Sequence, residues 1–320
     1  MIRVVYAGSP SASASVLEIL LDRADSCGFS VVGVLSNPPS AKGRRREPVP
    51  TPVSLAASSA AIPVITPEHL DSACRDEVSA LSPDILVSFA YGRIFGPKFL
   101  GLFPMGGINL HPSALPEYRG CTPVTAAILN RNTSTAVTVQ KIALGIDEGN
   151  ILAQENIPLD GTETGGSLLE FCAGRGAELV CRVLSGAAAS GKLPEGAAQS
   201  GIPSYTGMIT KNDARIDWDA PAAVTEAAVR AYNPEPMCWT LENGVPLRII
   251  SASCLDAGAA AGYDDAPCGK VLGVCAGHGI MVRTGDGILA VGRLQRQGKK
   301  EMDFRDFMNG ARGFVGTLLE

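Results

Sequence analysis

Asn109 and His111 stand two positions apart near the end of an apolar run, in the stretch MGGINLHPSALPEYRGC at residues 105–121. Side chains of an extended segment alternate with a period of two, so a strand over 105–110 turns the amide and the imidazole to one face and Leu110 to the other. Pro112 follows at once and Pro116 soon after, and residues with a locked φ and no amide hydrogen cannot continue a central strand. The pair is therefore expected at the end of a strand, where open α/β sheets bind ligands. An Asn amide can donate to a developing oxyanion, and a nearby imidazolium can do the same or shuttle a proton. Asp147, between Gly145 and Gly149 in ALGIDEGN, supplies a carboxylate. Close to the imidazole it would raise the ring's pKa above its usual ~6.5 and fix its orientation. The three make an acyl-transfer set without a protein nucleophile. Ser-His-Asp hydrolysis fits worse, since no GxSxG elbow is present and Ser113 lies two residues after His111. Cys121 is a second nucleophile candidate, but only Arg119 and His111 stand near enough to lower its pKa. Taken alone, an Asn-x-His pair reads more readily as a hydrogen-bonded strand end, so the longer context decides.

The elements that must position these groups follow one another in order. Residues 2–7 (IRVVYA), 31–35, 62–65 and 85–90 read as strands, with helical spacing over 12–21, 52–59 and 73–80. That alternation predicts a Rossmann-like α/β fold with a mostly parallel, doubly wound sheet. Gly8 lacks a GxGxxG context and reads as a tight turn, which argues against a dinucleotide. Tyr91-Gly92-Arg93-Ile94-Phe95 ends the fourth strand, beside the expected end of the Asn109/His111 strand, as a wall for a flat ligand. Thr122 and Pro123 suit the start of a helix over 123–129. Strands over 135–142 and 151–157 flank the Asp147 loop, and a helix over 168–184 closes the domain. The Gly/Ala/Ser-rich tract 185–204 has linker composition. The expected division is a catalytic domain at 1–187, a linker at 188–207 and a C-terminal domain at 208–320. There a helix over 220–231, short strands with turns at 242–244 and 285–287, and a last helix over 303–310 suggest an OB-type β-barrel.

At 320 residues, two domains are the natural reading. The 46% hydrophobic and 18% charged composition is that of a globular protein. No run approaches about 18 apolar residues and the first residues do not form a signal peptide, so a cytoplasmic enzyme with no membrane contact is expected. Nine cysteines without a CxxC spacing read as reduced thiols, and with three histidines a multi-His metal site is not expected. A net charge of -5 argues against a surface coated by nucleic acid but leaves room for a local basic patch. Residues 36–52 (SNPPSAKGRRREPVPTP) provide one, a proline-flanked loop presenting Lys42, Arg44, Arg45 and Arg46 to phosphates.

Asn109, His111, the segment HPSALP at 111–116 with Arg119-Gly120, and Asp147 in its Gly-flanked loop together resemble the active-site signature of the formyltransferases that use 10-formyltetrahydrofolate. The family usually has Leu where this chain has Ala114, which trims an apolar folate contact. Tyr91 to Phe95 are similar to the family's pterin-pocket segment. The resemblance implies Asn109, His111 and Asp147 as catalytic residues and 10-formyltetrahydrofolate as formyl donor, with no metal. It implies a folate pocket made of Tyr91, Gly92, Arg93, Ile94, Phe95, Ser113, Ala114, Leu115, Pro116 and Leu144. MITK at 208–211, ARIDW at 214–218, RAYNPEP at 230–236, TGDGI at 284–288 and GKK at 298–300 resemble the second domain of the members that formylate methionine on initiator tRNA. By that resemblance Lys42, Arg44, Arg45 and Arg46 contact the tRNA acceptor end, and a monomer is expected. Members acting on an amino-sugar nucleotide or glycinamide ribonucleotide share the Asn/His/Asp set, so the basic loop and second domain discriminate between them. A hydrolase releasing formate from the same folate needs no second macromolecular site. A non-catalytic RNA binder is disfavoured by the intact set.

Overall fold

The computed structural model describes residues 1–42, 47–255, 262–263 and 265–320. Arg44, Arg45, Arg46 and the side chain of Lys42, the expected tRNA contacts, lie outside the described residues. The chain forms two compact units, one of residues 1–123, 134–158 and 169–207, the other of 124–133, 159–168 and 208–320. Its first elements are β1 (Ile2–Gly8), α1 (Ser11–Arg23), β2 (Phe29–Leu35), β3 (Ser40–Lys42), β4 (Glu47–Val49), α2 (Pro52–Ser59), β5 (Val64–Ile65) and α3 (Ser72–Ala80). They are followed by β6 (Ile85–Phe89), α4 (Pro97–Leu100), β7 (Gly107–His111), β8 (Arg119–Gly120), α5 (Pro123–Leu129), β9 (Ser134–Lys141), β10 (Ile151–Pro158), α6 (Gly165–Ser190) and β11 (Tyr205–Thr206).

The first unit is organised on a sheet ordered β10-β9-β7-β6-β1-β2-β5. The five strands from β5 to β7 are parallel, and β9 and β10 add antiparallel to the β7 side. All five residues of β6 are buried, which is why ILVSF reads as a continuous apolar run instead of alternating. The helices start where their sequences supply caps. Thr51 Oγ1 accepts from the Ser54 amide at 3.0 Å ahead of Pro52 at α2, and Asp71 accepts from the Cys74 amide at 3.1 Å at α3. This is the doubly wound, mostly parallel architecture expected, and it brings β1, β6 and β7 to a common carboxyl edge.

Two segments depart from the sequence reading. Residues 36–52 are more than a loop: β3 and β4 pair antiparallel, Ser40 opposite Val49 and Lys42 opposite Glu47. A two-strand ribbon tolerates Pro48 because, among the described residues, neither strand has a second neighbour to satisfy. The 185–204 tract is also not a free linker. Helix α6 continues through Ser190, because alanine is the strongest helix former and Ala187 is fully buried. Residues 191–207 then remain with the first unit.

The second unit contains α7 (Ala222–Ala231), β12 (Cys238–Glu242), β13 (Val245–Cys254), β14 (Val271–Cys275), β15 (Gly279–Arg283), β16 (Ile288–Arg296), β17 (Met302–Asp303) and α8 (Phe304–Gly310). Its antiparallel sheet runs β12-β13-β16-β15-β14, with β17 on β16. Asn243 and Gly244, at φ +51° and +78°, form the hairpin turn that right-twisted strands prefer. The C-terminal residues close the sheet, since Leu319 bridges Glu242 on one edge and Leu318 bridges Lys270 beside the other. Trp218 donates its indole N–H to Thr240 Oγ1 at 2.9 Å, so the ring is buried without leaving its polar group unpaired.

Candidate active site

The register between β7 and β9 sets the site. It places Gln140 opposite Asn109 and Thr138 opposite His111, so polar residues of β9 meet the polar end of β7. Asp147 then enters from the loop after β9. Its Oδ1 accepts from Gln140 Nε2 at 2.7 Å and from Asn109 Nδ2 at 3.3 Å, and its Oδ2 accepts from the Gly120 amide at 2.8 Å. Three donors on one half-enclosed carboxylate hold it without recourse to solvent. The Gly120 donor needs a glycine: at φ +104°, a Cβ there would stand 2.3 Å from the Thr206 carbonyl. Asp147 itself sits at φ +53°, a conformation that costs most side chains but that Asp tolerates, and one that concentrates at functional sites.

His111 is buried, 4% exposed, and its Nε2 donates to the Tyr118 carbonyl at 2.9 Å. A carbonyl only accepts, so this bond fixes the proton on Nε2 and leaves Nδ1 as a lone pair. Nδ1 faces Asp147 Oδ2 at 3.6 Å, beyond hydrogen-bond length. Burial pulls the imidazole pKa below its ordinary 6.5, opposed by the Asp147 charge and by the bond to Tyr118. The expected upward shift is thus reversed, because desolvation of the charged ring outweighs the Asp147 charge and the bond to Tyr118.

Asn109, His111 and Asp147 are brought together as the sequence suggested. The residues assigned to the folate pocket divide. Tyr91 (2% exposed) and Phe95 stack at 5.5 Å, and Phe95 stacks on Phe99 at 5.5 Å, so these rings belong to the core and offer no face to a ligand. This corrects the aromatic wall: apolar rings gain more from burial under β6 than from exposure at its end. The Tyr91 hydroxyl is buried with no partner among the described residues, and burial pushes its pKa up to about 12. Ser113 donates to the Glu117 carbonyl at 2.6 Å and accepts no exposed role, while Leu115 and Pro116 are buried and Ala114 is half-buried. They brace the turn after β7. Ile94 (74% exposed) and Leu144 (69% exposed) remain open, as does Gly92. Among the described residues, the amides of 92–95 and of 144–147 donate no hydrogen bond within the protein. Exposed apolar side chains beside free backbone donors suit a flat heterocycle with an amide-like edge, which is the chemistry of a pterin. Arg93 is turned aside to Asn37 Oδ1, at 2.8 Å, and to the Glu68 carbonyl.

Gln140 and Gln199 were missed. Gln140 left a trace, a polar residue on the buried face of an apolar strand. Gln199 left none, as it lies in the small-residue tract. Among the described residues no group of three or more His, Cys, Asp or Glu side chains could hold a metal, and no helix is long and apolar enough to cross a membrane.

Residues 2–184 match the Formyl transferase family and residues 208–312 match the family's Formyl transferase, C-terminal domain. Methionyl-tRNA formyltransferase of Treponema denticola is 39% identical over 322 residues, covering 98% of each chain. Methionyl-tRNA formyltransferase of Roseiflexus castenholzii is 38% identical over 319 residues, covering 99% of each. Among solved structures, an N-formyltransferase from Helicobacter canadensis, in complex with folinic acid and dTDP-3-aminofucose, superposes with a TM-score of 0.61 at 21% identity. It covers 92% of this chain and 100% of its own, a likeness of fold.

Proposed function

The chain belongs to the formyl transferase family, and we infer on that premise that it transfers the formyl group of 10-formyltetrahydrofolate to the α-amino group of methionine on initiator tRNA, in the cytoplasm and as a monomer. Relatives that carry this activity in their names align over both units. The likeness to an N-formyltransferase in complex with dTDP-3-aminofucose is one of fold at low identity and does not favour a sugar acceptor. Nine free thiols suit a reducing compartment.

The observation that carries the catalytic reading is the carboxylate of Asp147, which faces Asn109 Nδ2 at 3.3 Å and His111 Nδ1 at 3.6 Å at the carboxyl end of β7. The folate supplies an activated formyl carbon, held by backbone groups of 92–95 and 144–147 with Ile94 and Leu144 against its ring. Asn109 has two amide hydrogens; one is aimed at Asp147, and the other donates to the negative charge that develops on the formyl oxygen as the amine adds. His111 begins neutral. Its Nδ1 lone pair takes the proton that the attacking amine must lose, directly or through one water, and the resulting imidazolium lies between Asp147 and the Tyr118 carbonyl. As the oxyanion collapses, the bond from the formyl carbon to the folate N10 breaks and the imidazolium returns the proton to that nitrogen, so that tetrahydrofolate leaves and His111 is neutral again. Asp147 therefore has nothing to gain from His111 until the proton arrives, which directs its stabilisation to the transition state instead of the ground state.

The acceptor is bound elsewhere. The segment 36–52, with Lys42 and Arg44 to Arg46 in its sequence, serves as one phosphate-binding element, and the 208–320 domain provides the second. There Lys211 Nζ and the Arg215 guanidinium stand 5.7 Å and 5.6 Å from the Trp239 ring, a cationic and aromatic surface suited to RNA. Incubation of the protein with 10-formyltetrahydrofolate and methionine-charged initiator tRNA is expected to yield formyl-methionine. Formate release without formyl-methionine, or formylation of an amino-sugar nucleotide in its place, would contradict this function.

A further inference from the structure

Asp147 is held from a direction that the acyl-transfer set does not use. Of residues 191–200, only Leu193 and Gln199 turn away from solvent. Gln199 lies across the loop between β9 and β10. Its Nε2 donates to the carbonyls of Asp147, at 2.7 Å, and Gly149, at 2.9 Å. Its Oε1 accepts from Nε and Nη2 of Arg119, at 3.2 Å and 2.8 Å. One side chain thus ties the backbone of Asp147 to the segment whose next residue, Gly120, donates to the Asp147 carboxylate.

The surrounding chain makes this tie firm. Ala197 and Ile151 exchange two backbone hydrogen bonds, at 2.8 Å and 2.9 Å. The Glu195 carboxylate meets Lys141 Nζ at 3.2 Å, and its carbonyl accepts from Asn150 Nδ2 at 3.0 Å. Further along, β11 pairs with β8, the strand of Arg119 and Gly120. Residues 195–206 accordingly cross both elements that present Asp147. That residue also sits in a left-handed conformation, which persists only where its surroundings over-determine it. The carbonyls of Asp147 and Gly149 have their donor in Gln199.

We propose that Gln199 is a positioning residue for formyl transfer, fixing the Asp147 loop so that the carboxylate faces Asn109 and His111. It touches no reacting atom and acts through Asp147. The proposal rests on the catalytic reading above and adds to it that 191–207, a tract with the composition of a linker, is part of the catalytic machinery. A loop loosened by about an ångström at a site of this kind can lower turnover by roughly a hundredfold.

The test compares Gln199→Ala and Gln199→Glu with the wild-type chain, in single-turnover transfer from 10-formyltetrahydrofolate to methionine-charged initiator tRNA. Each substitution is also made on an Asp147→Asn background. Gln199→Glu keeps the shape and the acceptor for Arg119 but directs an acceptor at two carbonyls, so it serves if Gln199→Ala folds poorly. At saturating folate, the expected result is a transfer rate lower by roughly 10- to 100-fold in both variants, with KM for tRNA within about twofold of wild type. On the Asp147→Asn background the same substitutions should cost less than about twofold, because residues acting as one unit are not additive. A rate for Gln199→Glu within twofold of wild type overturns the role of Gln199, as does an undiminished loss on the Asp147→Asn background. A wild-type chain that makes no formyl-methionine overturns the catalytic reading itself, which separates the two failures.

Discussion

Segments 91–95 and 109–120 leave the ends of neighbouring strands, β6 and β7, yet they are built in opposite ways. After β6 the large side chains turn inward, Tyr91 on Phe95 on Phe99, and the amides of 92–95 have no partner among the described residues. After β7 the backbone is braced by Ser113 and Tyr118, and the polar side chains are aimed at one another through Asp147. The difference separates two tasks. A flat ligand with its own donors and acceptors is read by main chain, which no side-chain replacement can delete. Proton transfer and oxyanion stabilisation need side chains with defined orientation and pKa. Substitutions after β6 should therefore act on stability, and those after β7 on chemistry.

The largest effect expected on the β6 side is Phe99→Ala, which removes a ring buried between Phe95 and Phe103. It should lower the unfolding free energy by about 3 to 5 kcal/mol in a denaturant titration, while the folded fraction keeps its wild-type transfer rate. A rate loss out of proportion to the unfolded fraction would break the separation.

A smaller effect belongs to His111. Burial lowers its pKa in the folded chain, so below the unfolded value of about 6.5 the unfolded state takes up more protons than the folded one. The contribution is intact above about pH 6.5 and is lost as pH falls from there toward the folded pKa. The slope from this one group cannot exceed about 1.4 kcal/mol per pH unit, and His111→Gln should remove it from stability curves measured between pH 7 and 5. Stability that rises on acidification through this range would mean that the ring is charged at neutral pH and donates to the oxyanion from the outset.

Tyr91→Phe should have the smallest effect. It deletes a buried hydroxyl that has no partner among the described residues, so stability is expected to rise by up to about 1 kcal/mol, with the folate KM within about twofold. A tenfold rise in that KM would place the hydroxyl at the ligand and undo the contrast between the two segments.

Much of this was legible in the chain itself. Strand and helix alternation carried the parallel sheet, because each element buries an apolar face with its own period. Asn109 and His111 stood out because the prolines after them end a strand. What was not legible depended on depth and on distant contacts. The pKa of His111 follows from burial by segments far apart in sequence, and the nearby carboxylate alone pointed the other way. Tyr91 and Phe95 look like a ligand wall until the core beneath β6 is known to need them. Gln199 reaches Asp147 across 52 residues, from a tract whose composition is that of a linker. The pairing of β3 with β4 was hidden by prolines and arginines, which argue for an exposed loop and say little about backbone pairing.

The most direct test of the account is single-turnover formyl transfer by Asn109→Ala at saturating folate and methionine-charged initiator tRNA, with a thermal melt on the same sample. The expected result is an unchanged melt and a rate lower by two to three decades, the ~3 to 4 kcal/mol that one oxyanion donor contributes. A well-folded Asn109→Ala chain that transfers formyl at a near wild-type rate would contradict it.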